Sequence, residues 1–278
     1  MKSNRSFSLR SFMYLLLISL SAIYISLNVL IKIFGPTLIF PYRGSSYQEN
    51  DFPLRVEAAD SNRIALRYEP ITNASHLILY HHGNGEDLGH LSSPLPIFHD
   101  LGLSVLTYDY PGYGRSSGKP SEASVLAAAE AAYRWAVTSG GWSPDQLIQY
   151  GRSIGGGPAL HLATFDEPPA GVILEAPFLS VFRVVTRIPA LVRDPFPNQR
   201  TIRLLNSPLL IIHGTRDQIV PFDHGTKLFQ IANPPKRHLW VENGGHNNLM
   251  SQHHAAVKGA IADFLRLIND ARTSTIEP

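Results

Sequence analysis

The chain has 278 residues, 44% of them hydrophobic and 17% charged, with no cysteine and a formal net charge of +2. That length can bury a sizeable core, and the composition excludes a disordered or fibrous protein. The absence of cysteine excludes a disulfide, a thiolate metal site and a thiol nucleophile. Charge is unevenly placed: with Lys2, Arg5, Arg10 and Lys32 set aside, the rest of the chain is slightly acidic, at about −2. A body of that sign argues against nucleic acid as a partner, because phosphate binding needs a basic face.

Phe12 to Ile31 is an uncharged run of twenty residues interrupted only by Ser19, Ser21, Ser26 and Asn28. At about 1.5 Å per residue, a helix of that length crosses a hydrocarbon layer of roughly 30 Å. The competing reading, a cleaved signal peptide, calls for a shorter apolar stretch and a small-x-small cleavage site; only bulky residues precede Gly35-Pro36. The expected organisation is a basic tail over 1–11, a transmembrane signal anchor over 12–34 and a single domain over 35–278. Lys2, Arg5 and Arg10 predict a cytoplasmic N-terminus by the positive-inside rule. The body is then expected outside the cytoplasm, in the periplasm if the source is bacterial.

Leu54–Ala58 and Arg63–Glu69 have no helix between them and predict an antiparallel hairpin. Continuous apolar runs follow at Leu77–Tyr80 and Leu103–Tyr108. Ser121–Thr138 predicts a helix, with Ser121 as N-cap, Gly140-Gly141 as the stop, and Val125, Leu126, Ala129, Ala132, Tyr133, Ala136 and Val137 along its apolar face. Four more short runs, Gln146–Tyr150, Gly171–Glu175, Leu209–His213 and His238–Val241, complete the pattern. Buried strands separated by helices predict a mostly parallel sheet with helices on both faces. In such sheets ligands bind beyond the carboxyl ends of the strands, so the turns there are the places to look for chemistry.

Gly151-Arg152-Ser153-Ile154-Gly155 matches G-x-S-x-G after a predicted strand. A serine on so tight a strand-to-helix turn needs small residues two before and two after it. Gly156-Gly157 is expected to let the following helix approach the sheet. The serine hydroxyl needs a base, and the base needs an orienting acid. Asp217 follows the PLLIIHG run and His246 follows the HLWVE run, in the order Ser, Asp, His; Gly244-Gly245 is expected to make the histidine loop flexible. Glu175, ending an earlier strand, is the alternative acid. Two backbone N–H groups are required for an oxyanion, and the Ile154 and Asn84 amides are the candidates.

HHGNGEDLGH, DYPGYGRSSGKPSE, GRSIGGG, PLLIIHGTRDQIVP and ENGGHNN occur in that order over residues 77–250. Together they resemble the α/β-hydrolase-domain serine hydrolases with a small cap, and within these the branch containing membrane-associated protein depalmitoylases. DPFPN at 194–198 and Asp223-His224-Gly225 are similar to the same branch. The resemblance implies an α/β-hydrolase fold with a minimal cap, Ser153 as nucleophile, Asp217 as acid and His246 as base. One departure stands out: those depalmitoylases reach membranes through cysteine-rich, acylated N-termini, whereas this chain has an apolar run and no cysteine.

Gly112–Lys119 is a poor phosphate loop, with five residues between its glycines and Pro120 where a hydroxyl belongs. His81, His82, His90 and His99 lack zinc-site spacing, and His82 is expected to brace its loop. The predicted cap, about 177–207, is apolar, with Phe178, Val181 and Phe182 as candidate pocket residues. It also carries Arg183, Arg187, Arg193, Arg200 and Arg203 against Asp194, a rim suited to anionic headgroups. The expected function is cleavage of acyl esters or thioesters through an acyl-serine, with no metal or organic cofactor. Expected partners are an acyl-containing small molecule, lipid or acylated protein, and membrane lipid. A serine peptidase of the aminopeptidase or oligopeptidase kind, and a non-catalytic hydrolase-like scaffold, are the alternatives.

Overall fold

The computed structural model describes residues 8–41, 44–91, 94–186 and 194–276. The chain divides into two compact units, Met1–Ile39 and Phe40–Pro278. In the first, helix α1 spans Leu9–Ile39, continuing past the expected end at residue 34. Its Leu9–Leu30 stretch is 22 residues long, reaches a mean hydropathy of 2.0 over an 18-residue window, and is long and apolar enough to cross a membrane.

In the second unit the described residues form one eight-stranded sheet. Its strands are β1 (Arg55–Glu57), β2 (Arg63–Glu69), β3 (Leu77–His81), β4 (Ser104–Tyr108), β5 (Leu147–Arg152), β6 (Gly171–Glu175), β7 (Leu209–Gly214) and β8 (Lys236–Val241). Their order is β1-β2-β4-β3-β5-β6-β7-β8. The hairpin pair β1/β2 and the pair β2/β4 are antiparallel, and every other pairing is parallel. The runs read from the sequence coincide with these strands to within two residues at each end. All residues of β3, β4, β6 and β7 are buried, as expected of strands covered on both faces.

The described helices of this unit are α2 (Leu95–Asp100), α3 (Glu122–Thr138), α4 (Gly156–Leu162), α5 (Val181–Thr186), α6 (Asn198–Thr201), α7 (Phe222–Ile231), α8 (Leu249–Gln252) and α9 (His254–Ile276). Alternate strand residues face opposite ways. Ile173, Leu210 and Ile212 join Phe98 of α2 and Ile261 and Phe264 of α9 in one core, while Val172, Leu174, Leu209 and Ile211 join Leu160 of α4 and Leu228 of α7 in the other.

Ser121 caps α3 as expected, its Oγ accepting from Ser124 N at 3.1 Å. The buried face of α3 is rotated from the expected one: Ala128 and Ala131 are buried, whereas Leu126, Tyr133 and Val137 are half-exposed. Small alanines permit close packing, so the helix turns its alanine stripe inward and leaves bulkier neighbours at the margin. The predicted cap consists of α5, α6 and a short turn at Ile202–Leu204. Its centre, residues 187–193 with Arg187 and Arg193, lies outside the described residues.

Candidate active site

Ser153 follows β5 directly, with φ of +52°. A left-handed backbone is unfavourable for a residue bearing a Cβ, and here it raises the side chain over the sheet edge. The turn closes because of two glycines. A Cβ on Gly151 would meet the Gly155 carbonyl, and one on Gly155 would overlap the His81 carbonyl of β3. Close approach to the sheet is therefore the work of Gly155. Gly156 has ordinary room, and the space beside Gly157 is filled by the Phe196 ring of the cap segment. That corrects the expectation for the Gly156-Gly157 pair.

Asp217 lies three residues beyond β7, on a turn whose Ile219 and Val220 amides donate to its Oδ1 at 2.9 and 2.8 Å. Its Oδ2 lies 2.7 Å from His246 Nδ1, and His246 Nε2 lies 3.1 Å from Ser153 Oγ. Burial alone would raise the Asp217 pKa, but hydrogen bonds from His213 and His246 outweigh it and hold the carboxyl well below the usual range. With the carboxylate ionised, His246 Nδ1 is the donor and Nε2 is left to accept from the Ser153 hydroxyl. An imidazole held this way can take that proton while the carboxylate stabilises the resulting imidazolium.

The histidine loop is pinned in place, contrary to the flexibility expected of Gly244-Gly245. Gly244 O accepts from Arg216 N at 2.9 Å, Gly245 N donates to Asn248 Oδ1 at 2.8 Å, and a Cβ on Gly244 would crowd Val241 and Leu249. Glu175, the alternative acid, is engaged elsewhere: it accepts from Tyr150 OH at 2.8 Å and lies 3.5 Å from Arg152 Nε.

Ile154 is buried immediately after the serine, at the start of the turn leading into α4. Asn84 is exposed on the turn after β3, where its Oδ1 accepts from Tyr113 OH at 2.7 Å. His82 braces this turn by donating from Nδ1 to the Gly83 carbonyl at 2.8 Å. In the cap, Phe178 is buried and its carbonyl accepts from Asn198 Nδ2 at 3.0 Å. Val181 and Phe182 are half-buried, and Phe182 N donates to Asp194 Oδ1 at 2.8 Å. The DHG glycine, Gly225, leaves room for the His213 ring, which a Cβ there would strike.

The phosphate-loop lookalike ties its loop to the sheet, since the Ser117 and Ser116 hydroxyls accept from Arg63 N and Ala65 N of β2 at 2.7 and 2.9 Å. Reasoning from sequence missed the cluster of Arg152, Glu86 and Asn247. Arg152 pairs with Glu86 and donates to Asn247 Oδ1 at 2.7 Å. Its signal was the arginine inside the serine motif together with an unassigned glutamate in HHGNGE, since a charge at a buried turn calls for a partner.

A mostly parallel sheet with helices on both faces and a strained serine turn after its fifth strand is the architecture of the α/β hydrolases, and the chain has that fold. It is a hydrolase. The family profile described as serine aminopeptidase, S33, matches residues 72–198. Alpha/beta hydrolase domain-containing protein 17B of Homo sapiens is 41% identical over 194 residues, which are 68% of this chain and 66% of that protein. The 17C protein of Mus musculus is 38% identical over 196 residues, 69% of this chain and 61% of that one. The chain thus spans just under two thirds of the length of these relatives. Among solved structures, the Pyrococcus furiosus esterase Pf2001 superposes with a TM-score of 0.66 at 15% identity, covering 82% of this chain and 98% of that one. This last likeness is one of fold.

Proposed function

We propose that the chain is a membrane-anchored serine hydrolase that cleaves acyl esters or thioesters. The observation that carries this reading is the unbroken line from Ser153 Oγ through His246 to Asp217, with contacts of 3.1 and 2.7 Å. Ser153 attacks the acyl carbonyl as His246 Nε2 takes its proton. The Ile154 and Asn84 amides stabilise the oxyanion. Collapse of the tetrahedral intermediate expels the alcohol or thiol, which receives the proton from His246 and leaves an acyl-serine. Water, deprotonated by His246, then releases the acid and restores the serine hydroxyl.

The similarity to the depalmitoylase branch favours an acyl chain on a small molecule, lipid or protein, with Phe178, Val181 and Phe182 contributing apolar surface. A domain organisation of basic tail, anchor over 12–34 and hydrolase domain over 35–278 would hold the enzyme beside such substrates. Under this reading the anchor crosses the membrane once with its N-terminus in the cytoplasm. The aminopeptidase name of the matching profile favours a second reading. A peptidase that captures a free amine needs an unengaged carboxylate, whereas Glu86 is paired with Arg152 and Asp194 accepts from Phe182 N.

The test is labelling of the purified protein by a fluorophosphonate probe, with Ser153→Ala as control, followed by p-nitrophenyl esters of increasing chain length and aminoacyl anilides. Labelling that depends on Ser153 and turnover that favours longer acyl esters is expected. Preference for the anilides would establish the peptidase reading, and unlabelled, folded wild-type protein would remove the serine mechanism.

A further inference from the structure

Arg152 stands one residue before the strained serine, yet none of its polar contacts is with Ser153. Its side chain is only 11% exposed and the planar guanidinium is divided among four partner residues. Nη1 pairs with Glu86 Oε1, Nε faces Glu175 Oε1 at 3.5 Å, and Nη2 donates to Asn247 Oδ1 at 2.7 Å and to the His246 carbonyl at 3.4 Å. Glu86 is itself tied back, its Oε2 accepting from Gly83 N at 2.7 Å. Gly83 packs so closely on the guanidinium that a Cβ there would strike Nη1. Glu175 is anchored in the sheet through Tyr150.

These contacts join three segments that the fold alone leaves separate. One is the serine turn after β5, to which Arg152 belongs. The second is the turn after β3 that bears Gly83 and Asn84, and the third is the histidine loop after β8. All three must keep register to within a fraction of an ångström for proton transfer and oxyanion binding to occur together. We propose that Arg152 is a positioning residue whose guanidinium, through Glu86 and Asn247, holds the Asn84 turn and the His246 loop in register with Ser153.

The inference rests on the serine-hydrolase reading given above. Only arginine meets the geometry: a fixed fork of donors can serve carboxylates and an amide oxygen in different directions, whereas a lysine ammonium offers one compact charge. Simple stabilisation is a weaker account, because a partly buried cation loses much of its pairing energy to desolvation. The attachments are also concentrated on the site, with three of the four partner residues in turns bearing proposed catalytic groups.

The experiment uses the full-length protein and p-nitrophenyl ester turnover, with Ser153-dependent fluorophosphonate labelling of wild type as the reference. Arg152→Gln is expected to lower kcat by roughly 10–100-fold with KM within about threefold, and to slow labelling in parallel. Arg152→Lys should restore only part of the loss. Glu86→Gln should lower kcat similarly, and the double variant should be no worse than either single one, since both break one linkage. Asn247→Ala, at an exposed position that does not threaten the fold, should give a smaller loss in kcat, again without a matching rise in KM.

If wild type labels through Ser153 while Arg152→Gln and Asn247→Ala turn over at the wild-type rate and merely melt at lower temperature, the positioning role is overturned. Additive losses in the Arg152/Glu86 pair would overturn it too. Should Arg152→Gln fail to fold, Glu86→Gln and Asn247→Ala decide the matter by the same criteria. Failure of wild type itself to label would instead remove the serine-hydrolase reading, and this proposal with it.

Discussion

His213 Nε2 lies 3.3 Å from Oδ2 of Asp217, the oxygen that also holds His246 Nδ1 at 2.7 Å. With the Ile219 and Val220 amides on Oδ1, this carboxylate has donors on both oxygens. Burial would raise its pKa, but the two histidine hydrogen bonds prevail and depress it. The stability it contributes is therefore present above the ordinary carboxyl pKa and is lost as pH falls through its own lower value. Replacing Asp217 by asparagine keeps the shape but sets an N–H₂ either against both imidazoles or against the Ile219 and Val220 amides. We expect Asp217→Asn to lower kcat by roughly 10³–10⁴-fold, measured by steady-state ester hydrolysis.

A second carboxyl behaves oppositely. Asp109 is buried at the end of β4 and accepts from the Tyr47 hydroxyl, from Leu88 N at 2.9 Å and from Arg115 N at 3.3 Å. Burial outweighs these donors and pushes its pKa up to about 7. A raised carboxyl pKa favours folding below the ordinary carboxyl range, and that contribution is lost as pH rises through about 7. Denaturant midpoints taken from about pH 4 to 8 should show this decline in wild type, and Asp109→Asn should flatten it. Removing the partner hydroxyl in Tyr47→Phe should cost about 1–3 kcal/mol by the same measurement.

The glycines of the serine turn give a paired prediction. Gly155→Ala forces a methyl group into the His81 carbonyl and should destabilise by roughly 3 kcal/mol. Gly156→Ala, whose Cβ would lie 3.6 Å from Leu174, should be neutral or mildly stabilising. Equilibrium unfolding of the two variants side by side distinguishes them, and equal losses would contradict the packing described.

For the proposed anchor, the full-length chain should remain in the membrane pellet after alkaline carbonate extraction, while a chain starting at Phe40 should appear in the supernatant. A tag ahead of Lys2 should be protected from protease added outside intact cells, with the hydrolase domain cleaved. Protection of the domain would reverse the proposed orientation.

Much of this arrangement was legible in the amino-acid order. Leu77–Tyr80, Gly171–Leu174 and Leu209–Ile212 are apolar throughout, as strands covered on both faces are, and Ser153, Asp217 and His246 stand past the ends of β5, β7 and β8. What stayed hidden depends on contacts across the sheet. Arg152 and Glu86 are 66 positions apart, so neither reveals the other. Whether a glycine is needed for the sheet, as Gly155 is, or for an intruding ring, as Gly157 is, depends on what folds against it. The inward turn of α3 toward Ala128 and Ala131 is likewise a packing choice among several alanines that periodicity treats alike.

Ser153 and His246 lie 93 positions apart, and His246 follows β8, the last described strand in chain order. A ribosome therefore delivers α1 before the serine turn, and the serine turn before the histidine. A nascent chain stalled anywhere in between holds the apolar helix, and even the serine, without a base to deprotonate it. Under the proposed mechanism hydrolysis cannot begin during translation, and a prematurely terminated product is inert. Under the proposed anchor and mechanism, the linear order of the chain acts as a timer that sets location before reactivity.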